Sequence, residues 1–175
     1  MDNIINVINE LEKNRHQMNI SKESIEFISI ISSVLKPKNI LEIGSFNGYS
    51  ALCLSLCSKK VITLESNKEN AKLAQDNFNL AKTSNIKLVF GDALETLKKL
   101  KNKFQIILID GKKLEYKQYL ELSLNLLDKK GLIFVDNTIS HNYKLKEFFN
   151  YLERSNLYYK ELNLGKGLML IYRSI

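Results

Sequence analysis

The sequence predicts an α/β protein: a mostly parallel sheet, closed at its C-terminal edge by an antiparallel hairpin, with helices on both faces. Three observations predict it. Five short runs, apolar almost throughout and rich in Ile, Leu and Val, alternate with longer amphipathic stretches, the pattern of strands covered on both faces. The last two apolar runs are separated only by Asn163–Gly167, which holds two glycines, a link of hairpin length. The 175 residues are 45% hydrophobic and 26% charged, the balance of one globular domain with a sizeable core.

Residues 2–13 and 22–35 carry a helical period, the second opened by Ser21, with no strand between them. They are expected to form a helical cap, residues 1–37, on a core over residues 38–175, the whole being one domain, 1–175. The parallel strands are expected at Asn39–Ile43, Lys60–Glu65, Ile86–Phe90, Phe104–Asp110 and Gly131–Asp136. Right-handed crossovers join them. Ser66-Asn-Lys-Glu69 reads as a capping box ahead of Ala71, Leu73, Ala74 and Phe78, and Asp92-Ala-Leu-Glu95 as a similar N-cap. A helix over about 142–155 leads to the antiparallel strands Tyr158–Leu164 and Leu168–Arg173, which bring the strand count to seven.

Composition excludes several classes. No apolar stretch approaches the ~20 residues that cross a bilayer. The acidic, amphipathic start MDNIINVINELEKN lacks the basic and apolar regions of a signal peptide, so a cytoplasmic protein with no membrane partner is expected. Cys53 and Cys57, four apart in an apolar segment, read as small hydrophobes rather than disulfide or zinc ligands. The net charge is +7, with arginine only at Arg15, Arg154 and Arg173. Lysines spread over every segment read as a solvated surface; an anionic partner such as nucleic acid is the competing reading.

Chemistry enters at Leu41-Glu-Ile-Gly-Ser-Phe-Asn-Gly-Tyr-Ser50, between the first strand and a helix. Ligands of open α/β sheets sit at this edge. Gly44 and Gly48 permit a tight turn and close approach of backbone to ligand. The spacing is E-x-G-x-x-x-G, not the dinucleotide G-x-G-x-x-G, and no G-K-[ST] is present. Glu65 ends the second strand about twenty residues further on, where an acid can accept from two ribose hydroxyls. Asp92 follows the third strand; it could accept from an adenine amino group while capping its helix. The fourth and fifth strands end in Asp110 and in Asp136-Asn137. Two carboxylates and an amide oxygen on neighbouring strand ends form a hard, oxygen-only half-shell suited to Mg²⁺. The competing reading of Asp136-Asn137 is a simple turn after a strand.

These motifs resemble those of class I S-adenosylmethionine-dependent methyltransferases, a Rossmann-like fold. More narrowly, they are similar to the metal-dependent O-methyltransferases of catechol and caffeoyl-CoA type, over roughly residues 16–173. The L-E-I-G-S-x-x-G-Y-S run is specific to that branch. The resemblance implies methionyl contacts from Glu42, Gly44 and Ser50, ribose contacts from Glu65, and adenine contacts from Asp92 and Ala93. Met18-Asn-Ile20 resembles the segment that closes over the cofactor, with Ile20 offering backbone contacts. Asp110, Asp136 and Asn137 match the metal ligands, and Asp110 also borders the cofactor. In the pattern D-x-x-K-x-x-Y, Lys113 matches the catalytic base, while Tyr116 and Tyr119 are expected to pack.

The implied cofactors are S-adenosyl-L-methionine and Mg²⁺ or another divalent cation. The implied acceptor is a small hydroxy-aromatic or a hydroxyuridine in tRNA, since bacterial relatives include tRNA 5-hydroxyuridine methyltransferases. A homodimer is the assembly that relatives suggest. The chain departs from the pattern in two places. Lys166 stands in the final hairpin where many members have aspartate, and part of the usual N-terminal helical extension is missing. Two readings from other classes compete. An NAD-dependent oxidoreductase on a Rossmann sheet is disfavoured by the glycine spacing. A non-enzymatic nucleic-acid-binding module would need neither the metal nor the cofactor motif.

Overall fold

The computed structural model describes residues 2–173. Seven strands form one sheet: β1 (Asn39–Ile43), β2 (Lys60–Glu65), β3 (Ile86–Phe90), β4 (Phe104–Ile109), β5 (Leu127–Asp136), β6 (Leu157–Leu162) and β7 (Leu168–Arg173). Their spatial order is β3-β2-β1-β4-β5-β7-β6. The first five pair in parallel; β7 runs antiparallel to both β5 and β6. The expected sheet, hairpin included, is the one observed.

Alternation along each central strand explains the two layers of helix. Ile40, Ile106 and Leu108 point into one core, while Leu41, Ile43, Ile107 and Ile109 point into the other. Side chains of successive strand residues face opposite ways, so a strand apolar at every position needs cover on both faces. The first face is covered by α1 (Asp2–Lys13), α2 (Lys22–Leu35), α3 (Tyr49–Ser55) and α4 (Lys68–Leu80). The second is covered by α5 (Ala93–Lys99), α6 (Tyr116–Leu126) and α7 (Lys146–Glu153). Among the described residues no helix is long and apolar enough to cross a membrane. Both cysteines are free thiols.

Four local expectations need correction. The cap of α4 is Asn67, whose Oδ1 accepts from Asn70 N at 2.9 Å, not Ser66. The amide of Ser66 is already given to Glu65. The fifth strand begins at Leu127 rather than Gly131: the polar Asp128-Lys129-Lys130 reads as a loop, yet Leu127 pairs with Phe104 across a register irregularity. The helix expected from 142 is a 3₁₀ turn over Asn142–Lys144, a break at the buried Leu145, and α7. The sixth strand ends at Leu162, where Leu164 N turns back to donate to Leu162 O at 2.9 Å.

Candidate active site

The C-terminal ends of β1, β2, β4 and β5 open onto one cavity of about 570 Å³, roofed by the Gln17–Ile20 segment between α1 and α2. Its floor is the 44–48 loop. Gly44 has φ +102°, and a Cβ there would lie 2.3 Å from the Asp110 carbonyl oxygen. Only glycine lets β1 and β4 end this close together. Phe46, at φ +47°, is held in an unfavourable conformation by donating its N–H to Glu65 Oε2 at 2.8 Å.

Glu65 does more than the sequence suggested. Its other oxygen accepts from Ser66 N at 2.9 Å and Asn67 N at 2.8 Å. One buried carboxylate thus ties the glycine loop to the start of α4. A carboxylate offers about four acceptor sites, so one is left for a ligand in the cavity that Glu65 lines.

The roof is braced on both sides. The Arg15 guanidinium pairs with Glu12 at 2.8 Å, lies 4.8 Å from the Tyr49 ring centroid and donates to the Ile20 carbonyl. His16 leans on Phe46 with ring centroids 4.9 Å apart. Within the roof, Asn19 is buried with neither amide atom hydrogen-bonded, and Ser45 Oγ in the floor is likewise unpartnered. Both line the cavity. Buried polar groups without partners are costly, so both are poised for a ligand. Both lie inside recognisable motifs, yet nothing in sequence marks a polar side chain as buried, so neither role is legible there.

At the far end stands the carboxylate corner. Lys113 Nζ donates to Asp110 Oδ1 at 2.8 Å, to Gly111 O at 3.3 Å and to Tyr116 Oη at 2.7 Å. The Tyr116 hydroxyl in turn donates to Asp136 O at 3.1 Å. Tyr116 is packed, as expected, against Phe148, and it also anchors the lysine. Asp136 is fully buried, and neither carboxylate oxygen has a partner. Burial, then the charge of Asp110, pushes its carboxyl up to about 7. Asp110 is also raised by burial, against the pull of Lys113. Asn137 adopts φ +67°, a left-handed turn that sets its side chain beside the same cavity.

This donor set fits a divalent metal. An unpartnered buried carboxylate costs several kcal/mol unless a cation meets it. The three side chains offer oxygens only, which suits Mg²⁺. They are two acids and an amide: among the described residues no three His, Cys, Asp or Glu side chains converge on a metal position.

Of the residues implied for the cofactor, Ile20, Gly44, Ser50, Glu65, Ala93 and Asp110 line the cavity, as do Lys113 and Asn137. Glu42, Asp92 and Asp136 stand off its wall. Glu42 is fully buried, accepts from Thr63 Oγ1 at 2.5 Å and is pushed up to about 7 by burial. Asp92 is exposed and caps α5 by accepting from Glu95 N at 3.0 Å. The lining also includes Lys166, the departure from the family pattern in the final hairpin, and His141, which no motif singles out.

The sequence pattern of a family described as O-methyltransferase matches residues 3–163. A catechol O-methyltransferase of Niastella koreensis is 31% identical over 138 residues, 74% of this chain and 62% of that protein. A probable caffeoyl-CoA O-methyltransferase of Dictyostelium discoideum is 31% identical over 136 residues, 73% of this chain and 59% of that one. The matches thus span about three fifths of these relatives' own lengths. Among solved structures, an SAH-bound methyltransferase of Podospora anserina superposes with TM-score 0.88 at 23% identity, covering 100% of this chain and 89% of that one. An O-methyltransferase of Bacillus cereus in complex with SAH gives 0.82 at 21% identity, covering 98% and 90%. These likenesses establish the fold.

Proposed function

Since the chain belongs to the O-methyltransferase family, we propose that it transfers a methyl group from S-adenosylmethionine to a hydroxyl oxygen, with a divalent metal at Asp110, Asp136 and Asn137. One observation carries the metal: the Asp136 carboxylate is buried without a partner at the end of β5, directly before Asn137, which lines the ligand-sized cavity. S-adenosylmethionine supplies an electrophilic methyl, and a divalent cation supplies charge that steadies a developing oxyanion.

The rest falls to the chain's own residues. Glu65 fixes the loop and offers its remaining acceptor site to the ribose. Asn19 and Ser45 satisfy their buried polar atoms on the bound molecule. The Gln17–Ile20 roof excludes water, which strengthens every charge interaction beneath it. Lys113 stands where the acceptor's proton must leave. With Nζ 2.8 Å from Asp110 Oδ1, it is positioned to steady a developing oxyanion. To act as a base instead, Lys113 would first have to give up its own ammonium proton, after which the neutral amine could take one from the acceptor hydroxyl. Family membership also removes the reason to read the sheet as a nicotinamide site.

The names of the relatives favour a vicinal hydroxy-aromatic acceptor. The net charge of +7 favours a hydroxyuridine in tRNA as the second reading, because phosphate contacts draw on a basic surface. A cytoplasmic setting and a homodimer are part of the same reading. The test is transfer of radiolabelled methyl to 3,4-dihydroxybenzoate and to hydroxyuridine-containing tRNA in parallel. Transfer that EDTA stops and Mg²⁺ restores is expected. Undiminished transfer in EDTA would refute the metal, and no transfer to either acceptor would refute the reading.

A further inference from the structure

Three lysines line the cavity: Lys112, Lys113 and Lys166. Lys112 pairs with Glu115 at 3.4 Å and Lys113 with Asp110 at 2.8 Å. Among the described residues Lys166 has no carboxylate within 4.0 Å. A lysine at a hairpin tip is ordinarily a solvated charge. This one is built in. Its carbonyl accepts from Ile139 N at 3.2 Å and Ser140 N at 3.0 Å, and Thr138 N donates to Gly167 O at 3.1 Å. Gly167, at φ +94°, lies so close that a Cβ would sit 2.3 Å from Ile139 N. The hairpin tip is therefore locked against the loop that follows Asp136 and Asn137. The side chain is held as well: Lys166 Nζ donates to Gln17 O in the roof at 2.5 Å. An ammonium has three donors, so two remain beside the cavity. The hairpin tip's backbone bonds to residues 138–140, which follow the end of β5, place it at the carboxylate corner rather than the ribose end. Next to it, His141 stacks on the exposed Tyr143 ring at 6.4 Å and 18°, a flat surface for a planar group.

We infer that Lys166 selects the acceptor, binding an anionic substituent, a carboxylate or a phosphate, on the molecule whose hydroxyl faces the Asp110–Asn137 corner. The inference rests on the methyl-transfer reading above and narrows it to anionic acceptors. Charge-assisted hydrogen bonds from a half-buried ammonium are strong enough to discriminate such a group from a neutral one.

Calorimetry with S-adenosylhomocysteine and Mg²⁺ present compares two matched pairs. The first is 3,4-dihydroxybenzoate and its methyl ester; the second is 5-hydroxyuridine 5′-monophosphate and 5-hydroxyuridine. The wild type is expected to prefer the anionic member of one pair about tenfold. A preference in the first pair assigns the carboxylate of a small aromatic acid, and one in the second assigns a phosphate. Lys166→Gln should bring the ratio to about one, and Lys166→Arg should restore it. A merely structural role would weaken both members alike and leave the ratio standing. Equal affinities within both pairs, or a ratio that survives Lys166→Gln, overturns the inference. Methyl transfer to the neutral members would then still support the reading of function. Binding of none of the four and transfer to none overturns both.

Discussion

Replacing Glu65 by glutamine tests the joint between floor and cofactor with almost no change of shape. The wild-type carboxylate accepts three backbone N–H groups, from Phe46, Ser66 and Asn67, at 2.8–2.9 Å. The amide of glutamine has one oxygen and one donor nitrogen. Its better orientation keeps the oxygen on Ser66 and Asn67 and turns NH₂ toward the Phe46 N–H. One charge-assisted bond, worth about 1.5–3 kcal/mol, is lost, and two fall to neutral strength at about 1 kcal/mol less each. The expected loss is about 3.5–5 kcal/mol of a total that is about 5–15 for such a domain. Phe46, no longer held at positive φ, is expected to relax and loosen the 44–48 loop. Loss of the remaining acceptor site should weaken S-adenosylhomocysteine binding by about 1.5–3 kcal/mol, a factor of about 10–150. Urea denaturation and calorimetry on one preparation read the two effects. A large fall in stability with unchanged cofactor affinity would refute the ribose role and keep the loop joint. Unchanged stability would refute the joint itself.

Other outcomes follow from buried charge and close contact. Glu42 is raised by burial to about 7, so the fold holds its proton where the unfolded chain does not. Its contribution is intact below about pH 4.5 and is lost as pH rises to about 7. Glu42→Gln should shrink the loss of stability between pH 5 and pH 8 by on the order of 3 kcal/mol, read as urea midpoints; an unchanged difference would contradict its burial as a carboxyl. Asp136→Ala should abolish methyl transfer while S-adenosylhomocysteine affinity stays within about threefold; retained transfer would remove Asp136 from the metal set. Gly44→Ala drives a Cβ onto the Asp110 carbonyl and should cost about 3 kcal/mol or more, visible in thermal melts. A variant that melts like the wild type would show that the β1–β4 approach can relax.

Much of the architecture was legible because the central strands are apolar at every position and bounded by polar residues. Asn39–Ile43, Lys60–Glu65 and Ile86–Phe90 are observed as expected. The hairpin followed from Asn163–Gly167 alone. What failed was local pattern overruled by distant partners. Asp128-Lys129-Lys130 looks like a loop, but its strand is recruited by β4, with Gln105 Nε2 donating to Asp128 Oδ2 at 2.7 Å. Ser66 looks like a cap, but Glu65 claims its amide. The site divides the same way. Strand-end acids announce themselves by position. The roles of Asn19 and Ser45 depend on which buried atoms lack partners, and that of Lys166 on where the hairpin tip docks, properties of the assembled cavity that no window of sequence contains.

The sheet order also dictates a sequence of assembly. Because β7 lies between β5 and β6, β6 has no strand to pair with when it leaves the ribosome. Until β7 arrives, the edge of β5, with Ile133, Phe134 and Val135, stays open. An open apolar edge invites pairing with another chain. A nascent chain halted at Leu162 would carry the whole cofactor floor, yet it would lack the wall that bears Lys166 and present a template for aggregation. Competence to hold an acceptor and protection from self-association are therefore acquired in one late step, the insertion of a single six-residue strand.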